Sequence, residues 1–346
     1  MLSSLEILLK IDMDSLTQIV LGAAVGEAVL GKKVGNKAML WGAIAGTIPD
    51  LDVLFKLFLD AVTSNELHRG FSHSLLFSLL MAPLLGGFTY RLYQKKIATW
   101  KGWSQLFFWA LFTHPLLDAH TTWGTQLLWP LDLRVSFKNI FVIDPLYTLP
   151  FLFFLLWAMC TTRGTVKRAR RNGLGLVVSS LYMVLTLVFK VWTFQIFQKS
   201  LSEQSITYLE IQTKPTPMNS VLWSATVATE DAYLIGYTSL FDRSSKVKFV
   251  RFEKNHELLG RLKNHALVKR LIRLSQGWYT IEKRDEKLFF NDLRFGLMGI
   301  KKETSRFVFS YELYFENDEL KAKEAPKEYG EIKPMLRALA HRIRGN

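Results

Sequence analysis

Cysteine is almost absent: Cys160 is the only one, set in an apolar run, so no intramolecular disulfide can form and cysteine usage leaves the compartment open. Repeats and low-complexity tracts are lacking too, which excludes repeat arrays. The N-terminus has no basic stretch followed by an apolar run and a small-residue cleavage site, so no cleavable signal peptide is expected. Met13 opens Met13-Asp14-Ser15-Leu16-Thr17-Gln18 and is a second candidate start, with residues 1–12 then a dispensable extension. Long apolar runs are missing after residue 195, although the preceding part is full of them. Acidic residues are outnumbered 30 to 44, giving a net charge of +14: 19 Lys and Arg against 11 Asp and Glu over residues 1–199, and 25 against 19 in the rest. In a membrane protein such an excess sets topology and touches anionic lipid, so nucleic acid is not an expected partner.

The 346 residues therefore divide into two unlike parts, a polytopic membrane domain over 1–199 and a soluble domain over 200–346. Segments 74–90, 140–160 and 174–194 approach the roughly twenty residues a spanning helix needs. Segment 103–118 is strongly apolar with polar groups at one end. Segments 16–30 and 38–48 are short and rich in Gly and Ala, the composition of a tight helical hairpin that spans or of a re-entrant pair. The expected fold is a mainly α membrane bundle of about six helices, followed by a smaller soluble α+β domain. Lys32, Lys33 and Lys37, then the basic stretches 91–101 and 163–171, assign three loops to the cytoplasm. The connections 50–72 and 119–139, and everything after Phe194, then lie outside it. In the second domain, stretches 205–212, 221–228, 233–237, 246–252 and 306–315 read as strands, and 255–275 as an amphipathic helix. The tail from Asn317 is charged, with a short basic helix near its end.

Seven metal-capable side chains crowd the first third: Asp50, Asp52, His68, His73, His114, Asp118 and His120. Ionisable groups are costly in or near hydrocarbon and mark functional sites there. The topology, read from Lys and Arg alone, puts Asp50, Asp52, His68, His73, Asp118 and His120 on one membrane side, and His114, one helical turn before Asp118, points the same way. In Thr47-Ile48-Pro49-Asp50-Leu51-Asp52, Pro49 breaks the helix and presents two carboxylates, which suit a divalent cation or simply a cap and solvated turn. In His68-Arg69-Gly70-Phe71-Ser72-His73-Ser74, neutral imidazoles suit zinc, Arg69 suits an anionic substrate oxygen, and Ser72 is placed to cap the next helix. The plain alternative is a polar surface loop. In His114-Pro115-Leu116-Leu117-Asp118-Ala119-His120, the first and fifth residues share a helix face, as two ligands of one ion or as a buried hydrogen-bonded pair. Asp14, Gln18, Arg134 and Asp144 form a second tier around the site. Glu27 belongs to a helix contact or the cytoplasmic end, and His256, His265 and His341 need no special role.

These motifs, from Asp14-Ser15-Leu16-Thr17-Gln18 to His114-Pro115-Leu116-Leu117-Asp118, resemble those of the YdjM-like family of bacterial inner-membrane proteins, regarded as candidate metal-dependent hydrolases. The family often has histidine where this chain has Gln18. Its helical scaffold is thought to be distantly related to zinc-dependent phospholipases C and single-strand nucleases, which implies phosphoester hydrolysis by analogy. The resemblance covers residues up to about 200. The implied protein is a multi-pass inner-membrane hydrolase with an extracytoplasmic site and C-terminal domain, acting on a small-molecule or lipid-derived phosphoester or ester. Zinc is the expected metal, manganese the next, and seven ligands suggest two or more ions. Arg69 is the expected charge stabiliser, with Asp52 or Asp118 as base. The competing readings are an ion or metal transporter and a structural metal clamp. Transport sites favour the bilayer midplane, whereas these residues cluster at helix ends.

Overall fold

The computed structural model describes residues 14–299, 306–326 and 332–345. Met13 and the residues before it lie outside that range, as does the Asp14 side chain. The chain forms two compact units: residues 1–54, 67–187 and 217–219 make a helical unit, and residues 55–66, 188–216 and 220–346 make a second, sheet-rich one. The chain passes into the second unit at Val188, inside a helix, and makes an earlier detour into it, because 55–66 also belong there.

In the helical unit, α1 (Asp14–Gly26) and α2 (Asn36–Thr47) are the expected hairpin, joined through a π-helical turn, Glu27–Gly31. Their contact is backbone on backbone. A Cβ on Gly22 would lie 2.3 Å from the Gly42 carbonyl oxygen, and one on Gly46 would lie 2.5 Å from that of Gln18. Two Gly-x-x-x-Gly pairs, Gly22/Gly26 and Gly42/Gly46, thus bring the helices to a distance no other residue permits. The chain then bends into a 3-10 segment, Pro49–Leu57.

A short helix, α3 (Ala61–Leu67), precedes a 3-10 turn, Phe71–His73, and α4 (Leu75–Leu92). The cap of α4 is Ser74, whose hydroxyl accepts from the Phe77 amide at 3.0 Å; the Ser72 side chain is used elsewhere. Helix α5 (Trp100–Asp118) pairs with α4 and supplies Trp103, Leu106, Phe107 and Leu111 to the core of the unit. Helix α6 (Pro145–Met159) starts at Asp144, which accepts from the Leu146 amide at 2.9 Å. It is 15 residues long, about 22 Å, because the chain before Pro145 is loop. Helix α7 (Val166–Glu203) runs unbroken for 38 residues.

By length and composition, α4 and α7 can cross a membrane, and the bent pair of α2 with Pro49–Leu57 is a third candidate. Leu79, Leu80, Leu84 and Phe88 of α4 are exposed, as are Val177, Leu181 and Val184 of α7, a surface suited to lipid and not to water. Glu27 is a helix contact: its carboxylate takes both Arg168 Nε and Nη2 at 2.6 Å, with both side chains buried.

The second unit has two four-stranded antiparallel meanders. One is β1 (Glu210–Pro215), β2 (Leu222–Ala228), β3 (Ala232–Ser239) and β4 (Phe249–Glu253), in that order. The other is β5 (Tyr279–Arg284), β6 (Lys287–Leu297), β7 (Phe307–Glu316) and β8 (Glu319–Glu324). Five strands match the sequence expectation in place, while β5, β6 and β8 were not foreseen. The expected helix over 255–275 is interrupted. A 3-10 stretch, His256–Asn264, contains Gly260 at φ 47°, and α8 (Ala266–Leu274) follows. The basic helix of the tail is α9 (Ile332–Ile343).

Candidate metal centre

Four of the seven expected ligands converge. One donor atom each from Asp50, His73, His114 and Asp118 lies within 4.8 Å of every other. His73 Nε2 is 3.3 Å from Asp50 Oδ1 and 3.3 Å from Asp118 Oδ2, and His114 Nε2 is 3.4 Å from each of the same oxygens. The two imidazole nitrogens are 3.1 Å apart. These five separations are near the ~3.3 Å edge of a tetrahedron with bonds of about 2.0–2.1 Å, so the group could hold a metal ion.

The far side of each ring decides which nitrogen faces the centre. The Gly46 carbonyl can only accept, so His114 Nδ1 donates to it at 2.6 Å and leaves Nε2 to the cluster. The Ser72 hydroxyl gives its one proton to Asp52 Oδ2 at 3.0 Å, so its 2.9 Å contact with His73 Nδ1 has the imidazole as donor. Both Nε2 lone pairs of the neutral rings thereby point inward, the arrangement of metal-binding histidines. Asp118 is held by Gln18 Nε2 at 2.8 Å on Oδ1 and by Arg69 Nε at 3.0 Å on Oδ2.

The glycine hairpin explains why Gln18 and Gly46 can be there at all. Only the close α1–α2 approach brings a helix-one amide and a helix-two carbonyl beside α5. Gln18 was anticipated as a second-tier residue; the Gly46 carbonyl was not, since a backbone acceptor leaves no residue-type signal.

The remaining residues surround this group. Asp52 lies on the Nδ1 side of the His73 ring, 3.4 Å from that nitrogen, and gathers three bonds: His68 Nδ1 at 2.9 Å, the Arg69 amide at 2.9 Å and the Ser72 hydroxyl. His68 packs its ring 5.2 Å from Trp123, and burial, opposed by Asp52, lowers its pKa and keeps it neutral. Arg69 is buried at φ 59°, a left-handed backbone that costs a non-glycine residue about 1–2 kcal/mol, and Nη1 donates to Thr121 Oγ1 at 2.7 Å. Arg134 donates to the His68 carbonyl at 3.2 Å. His120 is turned to Asn139 Oδ1, 2.8 Å from Nδ1, and does not join the four. Asp144 caps α6 and accepts from Tyr182 at 2.8 Å, and it lines a small cavity with Thr17, Gln18, Asp118 and Thr121.

Burial alone would depress the His73 imidazole, but the carboxylates of Asp118, Asp50 and Asp52 outweigh it and hold the pKa up to about 9. The metal-free centre therefore carries a proton that a cation would displace. Of the four donor side chains, only Asp50 reaches the surface, at 22% exposure against 0–2% for the others.

The fold thus joins two or three helices apolar and long enough to cross a membrane with a buried Asp/His group that could hold a metal ion. The sequence matches the YdjM inner membrane protein family over residues 13–195, and the chain belongs to that family. No curated protein and no solved structure matches significantly.

Proposed function

We propose that this protein is a metal-dependent hydrolase of the inner membrane, acting on a phosphoester or lipid-derived ester at the extracytoplasmic face. The observation that carries the reading is the convergence of donor atoms of Asp50, His73, His114 and Asp118 within 4.8 Å of one another, with both imidazoles pinned through Nδ1. Zinc or manganese bound there would lower the pKa of a water toward neutrality and polarise the attacked group.

The protein residues supply the rest. Asp118, fixed by Gln18 and Arg69, would hold the ion with His73 and His114, and Asp52, which holds His68, Arg69 and Ser72 in place, is an orienting carboxylate in this geometry. With His73, His114 and Asp118 as the three protein ligands a catalytic ion needs, the fourth position would be left to water, and Asp50, the carboxylate with surface access, is assigned the role of its proton acceptor. Arg69, with a guanidinium beside Asp118, stabilises negative charge on the substrate oxygen.

A lipid-derived substrate is favoured by apolar side chains exposed in the site-bearing loops. Leu51 stands between Asp50 and Asp52, Phe71 between Arg69 and His73, and the Phe71 ring lies 5.0 Å from Trp129. Such side chains belong at the bilayer interface.

The test is elemental analysis of detergent-solubilised protein beside His114→Ala, followed by turnover of phosphoesters and phospholipids with zinc or manganese restored. About one ion per chain, lost in the variant, with metal-dependent turnover, supports the proposal. Bound metal without turnover would make the centre a structural clamp. No metal in either protein after restoration would remove the hydrolase reading and leave transport as its successor.

A further inference from the structure

Within the helical unit, the chain between α5 and α6 makes a closed loop over residues 126–134. Its neck is a mutual backbone pair, Thr125 and Val135 each donating to the other's carbonyl at 2.9 Å. Both stems are tied to residues beside the candidate centre. The Gln126 amide donates to the Arg69 carbonyl at 3.1 Å, and Arg134 Nη2 to the His68 carbonyl at 3.2 Å. The tip reads Leu128-Trp129-Pro130-Leu131-Asp132-Leu133, with Leu128, Trp129, Leu131 and Leu133 all exposed. Its one charge, Asp132, accepts from Gln126 Nε2 at 3.2 Å. Large apolar side chains gathered on one exposed tip mark a surface that meets something other than water.

The loop continues the lipid-suited face of α4. The Leu75 amide, at the first residue of α4, donates to the Leu127 carbonyl at 3.0 Å. The Phe71 ring lies 5.0 Å from Trp129 on one side and 5.4 Å from Phe77 on the other. From there Leu76, Leu79, Leu80, Leu84 and Phe88 carry the exposed apolar surface along the helix. With 18 residues, α4 is about 27 Å long, short of the roughly 30 Å of hydrocarbon in a bilayer. Its far end is basic, with Arg91, Lys95 and Lys96 exposed, so the apolar surface is prolonged at the end that carries the loop. At the candidate centre, Leu51 follows the partly exposed Asp50 and is itself 55% exposed.

We propose that loop 126–134 is a wedge inserted into the leaflet at the site-bearing end of the helical unit, and that the exposed edge of the centre, at Asp50 and Leu51, opens onto lipid. The partner is the bilayer itself, at the boundary between headgroups and acyl chains, and a ligand reaches the centre sideways from the leaflet. This route deepens the hydrolase reading by restricting its substrates to molecules that partition into a bilayer; insertion of the loop stands without that reading.

The experiment uses the full chain in vesicles of phosphatidylethanolamine and phosphatidylglycerol. Because Cys160 is the only cysteine, a Cys160→Ser background accepts one nitroxide label at a time, at Leu131→Cys, Leu133→Cys or Leu51→Cys. Leu84→Cys on the exposed face of α4 is the lipid reference, and Lys95→Cys in the basic stretch is the water reference. Collisions with oxygen, which concentrates among acyl chains, and with a neutral water-soluble nickel chelate are read by power saturation. Labels at Leu131, Leu133 and Leu51 should lose nickel collisions relative to Lys95 and gain oxygen collisions, as at Leu84. Nickel collisions at Leu131 and Leu133 equal to those at Lys95 overturn the wedge. Loss of both kinds of collision there, the sign of a protein neighbour such as a second copy, overturns it as well. Water-like values at Leu51 alone strike down the sideways route. Failure of the hydrolase reading shows elsewhere, as missing metal or turnover, and leaves these collision rates unchanged.

Discussion

The helical unit buries two groups of opposite charge, and they are built on different principles. At Glu27 and Arg168 one carboxylate meets one guanidinium through two parallel bonds of 2.6 Å. Every charge is matched, and no cation is called for. At Asp50, His73, His114 and Asp118, two imidazole nitrogens face each other at 3.1 Å with two carboxylate oxygens around them. Neutral rings in this orientation present only acceptors to one another, so the group is satisfied by protons or by a metal, but not by itself. A buried pair closes a structure; a buried surplus of acceptors marks a place where something is to be bound.

The largest expected effect that sharpens this contrast is at the closed pair. Arg168→Ala leaves Glu27 buried without its partner and should cost about 3–5 kcal/mol of stability. Metal content in whatever protein folds should stay at the wild-type value. Denaturation in mixed micelles and elemental analysis measure the two separately. His114→Ala should do the reverse, taking the metal content from about one ion to background while the metal-free protein stays folded; equal metal content would break the comparison.

The next effect is at the glycine hairpin. Gly42→Ala forces a Cβ to within 2.2 Å of the Gly22 carbonyl oxygen and should cost about 1–3 kcal/mol through displaced helices. Because Gly46 and Gln18 ride on those helices, metal affinity should fall with it, read by titration with manganese.

The pH dependence follows from the raised His73. With its metal-free pKa near 9, the ring is protonated at neutral pH, so cation entry expels a proton. Affinity should rise with pH, by at most about tenfold per unit between pH 6 and 8, and level off above 9. A flat profile in isothermal titration would mean that the cation takes its place without His73. The smallest effect belongs to Gln18→Ala, which frees Asp118 Oδ1 and should weaken binding about tenfold.

Much of this was legible in the sequence, and its limits have physical causes. His114 and Asp118 are four apart on a regular helix, so their shared face could be read directly. Asp50 and Asp52 could not be told apart: a 3-10 segment turns about 120° per residue, so residues two apart point in different directions. His68 and His73 differ in which element their rings meet, which composition does not reveal. Strands β5 and β8 carry many Lys, Arg and Glu residues. Asp285 and Glu286, at φ 47° and 62°, turn β5 into β6 without the glycine that ordinarily signals such a hairpin. The detour of 55–66 into the second unit was hidden because seven residues are too few for a helical period to stand out.

The uneven exposure of the four donors has a kinetic meaning. With three enclosed and Asp50 alone of the four reaching the surface, an incoming ion and a chelator should both meet Asp50 first. Loading and stripping should then be slow compared with diffusion, and occupancy should record the metal supply during assembly more than the free concentration at any later moment.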